Sequence, residues 1–208
     1  MQAVAITKLD YQRDWRLLDS IFQLRASVFK DRLGWDVCVI DGRERDEYDR
    51  LNPTYIAALT DSCELAGCAR LLPAVGPTMA ANTFPQLLAK GRIDAHSGMI
   101  ESSRFCVDTS LSRGADQNLL HDATATLFAG IIEWSIANGY TEILTVTDVR
   151  FERILKRTSW PLTRLGDAQP IGNTIAVAGL LPADDVHFER LRPLSYRSDF
   201  RQPRQIAA

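Results

Sequence analysis

Ionisable side chains gather in three places in this chain of 208 residues, and each place is one where unpaired charge would be costly. Arg25 opens a stretch that closes on Asp46 and Asp49, three apart with Tyr48 between them. Gly67-Cys68-Ala69-Arg70-Leu71 sets an arginine among small and apolar neighbours. Glu101-Ser102-Ser103-Arg104-Phe105 sets a carboxylate and a guanidinium three apart, flanked by Met99-Ile100 and Cys106-Val107. Two chemistries suit such a set: an internal ion-pair network among Arg25, Asp46, Asp49, Arg70, Glu101 and Arg104, or a pocket for a charged small molecule. Residues three apart on a strand face opposite sides of a sheet, so Glu101 and Arg104 share a pocket only if a bulge intervenes.

The elements that must position these groups are legible in outline. Trp15, Leu18, Ile21, Phe22, Leu24 and Val28 recur at three- and four-residue spacing, which predicts an amphipathic helix over about Tyr11–Phe29. The pattern then fades into a long polar loop that still holds Trp35. Loops of that length are usually functional or disordered, and aromatics with paired carboxylates argue against disorder. The stretch reads as an ordered lid over a polar ligand. Strands are expected at Ala3–Thr7, Tyr55–Leu59, Glu64–Leu72, Met99–Val107, Glu142–Val146, Leu162–Leu165 and Thr174–Ala178. Helices are expected at Phe84–Leu88, at 116–137 with a buried stripe of Leu119, Leu120, Ala123, Leu127, Ile131 and Trp134, at Val149–Arg157 and at Asp184–Leu191. Residues 73–83 read as a loop. The order predicts a three-layer α/β/α sandwich around a mixed, mostly antiparallel sheet, in one domain spanning residues 1–208.

Composition narrows the function. A net charge of −2 and a pI near 5.9 give no overall basic field for nucleic acid or membranes. Cys38, Cys63, Cys68 and Cys106 match no zinc or redox spacing, and His96, His121 and His187 are scattered, so no metal site is expected. No apolar run reaches transmembrane length, and the first residues lack a signal-peptide pattern; a cytoplasmic protein is expected.

The same residues carry a resemblance. Arg25, Val28-Phe29, Gly34-Trp35, Asp46, Asp49, Arg70, Asn82, Phe84 and Glu101-x-x-Arg104-Phe105 stand at the spacing found in the N-acyl-homoserine-lactone synthases, which make bacterial quorum-sensing signals. The chain resembles that family, closely over residues 25–105 and more loosely beyond. The resemblance implies an acetyltransferase-like fold in which two strands splay to admit an acyl-pantetheine arm. It implies two substrates: S-adenosylmethionine, and an acyl chain on acyl-carrier protein or CoA. Products would be the acyl-homoserine lactone, methylthioadenosine and the free thiol, with no cofactor beyond the substrates.

On that resemblance Glu101 is the expected base for the substrate amine, directly or through water. Arg25, Arg70 or Arg104 would hold the substrate carboxylate. Asp46 and Asp49 would hold the amine or ribose, and Phe29 and Trp35 would face the sulfonium or adenine; Phe29 reads equally as a core aromatic. Phe84 reads as packing or a cleft wall. Thr145, on a strand with Thr147, is the expected partner of a 3-oxo group, although β-branched residues also simply fill strands. Met99, Ser103, Phe105 and Leu120 are tunnel candidates. Arg150, Arg153 and Arg157 at i, i+3 and i+7, with Lys156, form a basic helix face that would dock an acidic carrier protein. Ser110–Gly114 is a candidate phosphate loop, without the full glycine-rich loop of CoA-dependent acetyltransferases. The rival expectations are a CoA-dependent acyltransferase acting on another amine and a non-catalytic ligand-binding module.

Overall fold

A computed structural model describes residues 1–110 and 118–200. An eight-stranded sheet organises them, built from β1 (Gln2–Ile6), β4 (Thr54–Leu59), β5 (Leu65–Pro73), β6 (Met99–Val107), β7 (Glu142–Asp148), β8 (Thr163–Arg164), β9 (Gln169–Ile171) and β10 (Thr174–Pro182). The order is β1-β4-β5-β6-β7-β10-β8, with β9 also paired to β10. Every pairing is antiparallel except β6–β7. That parallel step needs a crossover, supplied by α3 (Asn118–Ala137).

One face of the sheet carries α3, α4 (Val149–Arg157) and α5 (Asp185–Leu191), and buries Ile56, Ala69, Ile100, Leu127, Phe128, Ile143 and Trp160. The opposite face carries α1 (Trp15–Arg25), whose Ile21 and Phe22 pack with Tyr55, Ala57, Cys68 and Cys106. The three-layer sandwich is therefore present. Among the described residues no helix is long and apolar enough to cross a membrane.

Several boundaries differ from the periodicity. The first helix is α-helical over Trp15–Arg25 and widens into π-helical turns over Ala26–Arg32. Trp15, expected on its buried stripe, is 58% exposed, because the apolar face of the helix begins a turn later. The long loop contains a small hairpin, β2 (Val39–Ile40) and β3 (Arg43–Glu44). Its turn residues Asp41 and Gly42 have φ of 50° and 73°, as a tight hairpin turn demands. The expected loop over 73–83 contains a one-turn helix, α2 (Met79–Asn82), capped by Thr78. The long helix begins at Asn118; its expected start at 116 and most of the Ser110–Gly114 loop lie outside the described residues.

Two local features of β6 position the site. Its ladder with β7 runs from Met99–Glu142 to Ser102–Thr145, yet β6 continues to Val107 and β7 to Asp148, so the two strands part there. On its other side the register with β5 shifts: Cys68 pairs with Cys106 but Arg70 with Ser103, which leaves Arg104 and Phe105 opposite Ala69. The extra residue is a β-bulge, and Arg104 has φ of 52°. For a non-glycine residue that conformation costs roughly 1–2 kcal/mol, offset here by the contacts of the side chain.

Candidate active site

The bulge brings Glu101 and Arg104 to the same face. Glu101 Oε2 accepts from the Met79 amide at 2.9 Å and Oε1 from the Ala80 amide at 2.8 Å. Arg104 Nη1 lies 3.5 Å from Met79 Sδ, so both residues meet the first turn of α2. Phe105, past the bulge, points to the other face and packs on Phe128 and Phe151.

Around them stands a buried lattice of charge. Arg25 donates through Nε to Glu44 at 2.6 Å, and through both terminal nitrogens to Asp49 at 2.8 and 2.9 Å. Arg70 donates to both oxygens of Asp46, to Asp49 Oδ1 at 2.9 Å and through Nε to Ser103 Oγ at 3.1 Å. Arg104 pairs with Glu44 Oε1 at 3.1 Å and Asp46 Oδ2 at 2.8 Å. Tyr55 donates to Asp49 at 2.7 Å. Asp46 and Asp49 also cap each other's backbone across the 3-10 turn Glu47–Leu51, which fixes their spacing. The ion-pair network expected from the sequence thus exists, with one substitution: Glu44 belongs to it and Glu101 does not.

The environment separates these carboxylates. Burial would raise the Asp49 carboxyl, but bonds and attraction from Arg25, then Arg70, hold it far below the usual carboxylate range. Burial pushes Glu101 up, and the amides of Ala80 and Met79 offset this in part. Among the described residues Glu101 makes no ion pair. Burial alone would weaken the Arg25 cation; its bonds to Asp49 and Glu44 overcome that and hold it firmly charged.

The aromatics form a wall beside the lattice. The Trp35 amide bonds back to the Phe29 carbonyl at 2.8 Å, and the two rings stack 7° from parallel with centroids 5.1 Å apart. Phe29 is buried, and the Arg104 guanidinium lies 5.5 Å from its centroid. Phe29 is thus both core aromatic and platform. Phe84 packs against Tyr48, Leu72 and Met79 as a wall behind the lattice.

On the helical face a narrow cavity of about 20 Å³ lies where β6 and β7 part. Ser102, Phe105, Phe128, Thr145, Phe151 and Trp160 are among its lining. Thr145 and the tunnel candidate Phe105 both line it. Of the other tunnel candidates, Met99 lies in a separate cluster with Ala74, Ala80 and Leu144, and Ser103 faces Arg70; neither lines this cavity, nor does Leu120. Arg150, Arg153, Lys156 and Arg157 are exposed and together line an open groove along α4, whose start is capped by Asp148.

Comparison with known proteins gives this geometry a context. The sequence model of the autoinducer synthases matches residues 10–191. The chain belongs to the autoinducer synthase family. It is 59% identical over 198 residues to a probable acyl-homoserine-lactone synthase of Sinorhizobium fredii, covering 95% of each chain. The crystal structure of the acyl-homoserine-lactone synthase LasI matches with a TM-score of 0.79 at 31% identity, covering 94% of this chain and 98% of that one. The CoA-dependent acyl-homoserine lactone synthase BjaI, solved with S-adenosylmethionine and isopentyl-CoA, shares the fold with a TM-score of 0.80 at 22% identity, over 95% and 92% of the two chains. For this autoinducer synthase the fold is therefore acetyltransferase-like.

Glu44 joins this lattice without being among the residues that the sequence singles out. Its signal was present: it stands two residues before Asp46 after an Asp-Gly hairpin turn, and residues two apart on an extended chain face the same way.

Proposed function

We propose that this autoinducer synthase is an acyl-homoserine-lactone synthase whose two half-sites lie on opposite faces of the sheet and meet where β6 and β7 part. The observation that carries the reading is Glu101: a buried carboxylate near Arg70, ion-paired with no arginine among the described residues and held above its ordinary pKa. A carboxylate locked in an ion pair is a poor base; this one is poised to take a proton.

In this reading S-adenosylmethionine occupies the lattice side. Arg25 is 1% exposed and committed to Glu44 and Asp49, whereas the Arg104 side chain, although paired with Glu44 and Asp46, is 11% exposed; Arg104, with Arg70 beside it, meets the substrate carboxylate. Trp35, stacked on Phe29, offers its outer face to the adenine or sulfonium. Asp46 and Asp49, through Arg70 and Arg25, hold the arginines in place. The substrate ammonium loses a proton to Glu101, directly or through water. The free amine attacks the thioester carbonyl, the C–S bond breaks, and the second proton of the nitrogen passes to the departing thiolate, which leaves as the free thiol. The substrate carboxylate then attacks its own γ-carbon, and methylthioadenosine departs as a neutral thioether. Thioester and sulfonium are both activated leaving groups, so the sequence calls for no redox step and no cofactor; positioning supplies most of the rate.

The acyl chain enters through the split and widens the narrow cavity by parting the rings of Phe105, Phe128 and Phe151, with the Thr145 hydroxyl available to a 3-oxo carbonyl. Acyl-carrier protein or CoA presents it, and α4 is the docking face for an acidic carrier. Such chemistry belongs in the cytoplasm, where both substrates are made.

The test is product analysis with purified protein, S-adenosylmethionine and an acyl thioester. Methylthioadenosine and lactone should form in step with free thiol. Thiol release without methylthioadenosine would assign a simple N-acyltransferase, and no turnover with any thioester would leave a binding module.

A further inference from the structure

Met79 ends in a thioether placed between two guanidinium groups. Arg70 Nη2 reaches its sulfur at 3.1 Å and Arg104 Nη1 at 3.5 Å. The remaining Arg70 donors are spent on good acceptors: Nε on Ser103, Nη1 on Asp46 and Asp49, and Nη2 also on Asp46. A thioether sulfur is a weak acceptor, whereas a guanidinium bonds a carboxylate about twice as strongly as it would a neutral group. The sulfur therefore stands where a carboxylate oxygen would be held better.

The local architecture lets it leave. The Met79 amide is fixed to Glu101 at the start of α2. Its side chain turns about three bonds, so the tip can move without disturbing that bond. Tyr48, Leu72 and Phe84 pack around it as an apolar cluster.

We infer that Met79 is a displaceable plug: its sulfur occupies the seat of the S-adenosylmethionine carboxylate between Arg70 and Arg104, and shifts away from the two guanidinium groups, toward the Tyr48–Leu72–Phe84 cluster, when the substrate enters. The inference rests on the S-adenosylmethionine reading above. It makes Met79 a positioning residue, one that keeps buried Arg70 and partly exposed Arg104 spaced for a carboxylate until the substrate enters.

Two nucleosides separate this from a packing role. S-adenosylhomocysteine carries the amino-acid carboxylate; methylthioadenosine lacks it. Binding of each is measured calorimetrically to wild type, Met79→Leu and Met79→Glu. In Met79→Glu a tethered carboxylate fills the seat, so S-adenosylhomocysteine should weaken by at least about tenfold, the scale of one charge-assisted bond, with methylthioadenosine unchanged. In Met79→Leu the weak sulfur contacts are gone and S-adenosylhomocysteine should bind about threefold tighter, again with methylthioadenosine unchanged. Parallel shifts of both nucleosides would overturn the plug and leave the proposed function standing. A wild-type chain that binds neither nucleoside would overturn the S-adenosylmethionine reading itself. Should Met79→Glu fail to fold, the nearly isosteric Met79→Leu decides, and equal ligand preference in it and wild type refutes the inference.

Discussion

Glu44, wholly enclosed, is shared between Arg25 on the first helix and Arg104 on the central strand, and so ties the lid to the bulge. Removing one partner from a buried ion pair costs up to about 3–5 kcal/mol, and here Asp49 and Asp46 still hold Arg25 and Arg104, which places the cost toward the low end. Glu44→Gln should therefore lower the melting temperature by roughly 10 °C, read by calorimetry. It should also raise KM for S-adenosylmethionine more than for the acyl donor, since the lattice side loosens first. Glu101 acts in the opposite sense. Its pKa lies above the ordinary glutamate value because burial disfavours the anion. As pH falls through that raised value the base becomes protonated, so kcat/KM should show an acidic limb lying above ~4.3. In Glu101→Gln the rate should fall by about 10²–10⁴-fold and the limb should vanish. A limb that persists in the variant would remove Glu101 from the proton transfer.

At the scale of elements, β6 does two tasks at once through its bulge and its early departure from β7. Thr145 sits at the last rung before the strands part, facing the cavity. Thr145→Val keeps the shape and removes the hydroxyl, so preference for 3-oxo over unsubstituted chains should drop about fivefold, the worth of one neutral hydrogen bond. Competition between the two thioesters reads this ratio directly. The bounds of β6 and α4 were legible because apolar runs and a basic helical period announce them. The charged set was legible too, since arginines and carboxylates on strand-like segments need partners. The bulge was legible as a requirement of Glu101 and Arg104 sharing a pocket, but Arg104 is an unusual residue for φ of 52°, and only its long-range partners Glu44 and Asp46 hold it there. Helix α2, a single turn, is too short for any period to show, and its main signal was Thr78 as a cap. The Asp41-Gly42 turn joins strands of two residues each, so alternation had no length in which to appear. Trp15 misled because spacing identifies a stripe without saying how far along the helix that stripe stays covered.

Taken whole, the molecule carries a net charge of −2, yet Arg150, Arg153, Lys156 and Arg157 concentrate positive charge on one exposed helix face near the split. Local charge of this kind speeds encounter with an acidic partner and is screened by salt. Arg153→Glu with Arg157→Glu should raise KM for an acyl-carrier-protein donor about tenfold at low salt, less at high salt, and change KM for S-adenosylmethionine little. Unchanged carrier-protein kinetics at low salt would refute docking on α4. The sheet itself divides a charged compartment from a greasy one, and a single extra residue in β6 keeps the two in phase with the sequence. Deleting the one residue between Ser103 and Phe105, Arg104, would restore a regular ladder and leave Cys106 opposite Cys68, but it would remove the guanidinium that the bulge turns to the Glu101 face. Inserting a residue there instead would invert every position beyond it, turning Cys106 away from Cys68 and toward the helices. Length variation in this family should therefore be tolerated at the hairpins and rejected at these few positions.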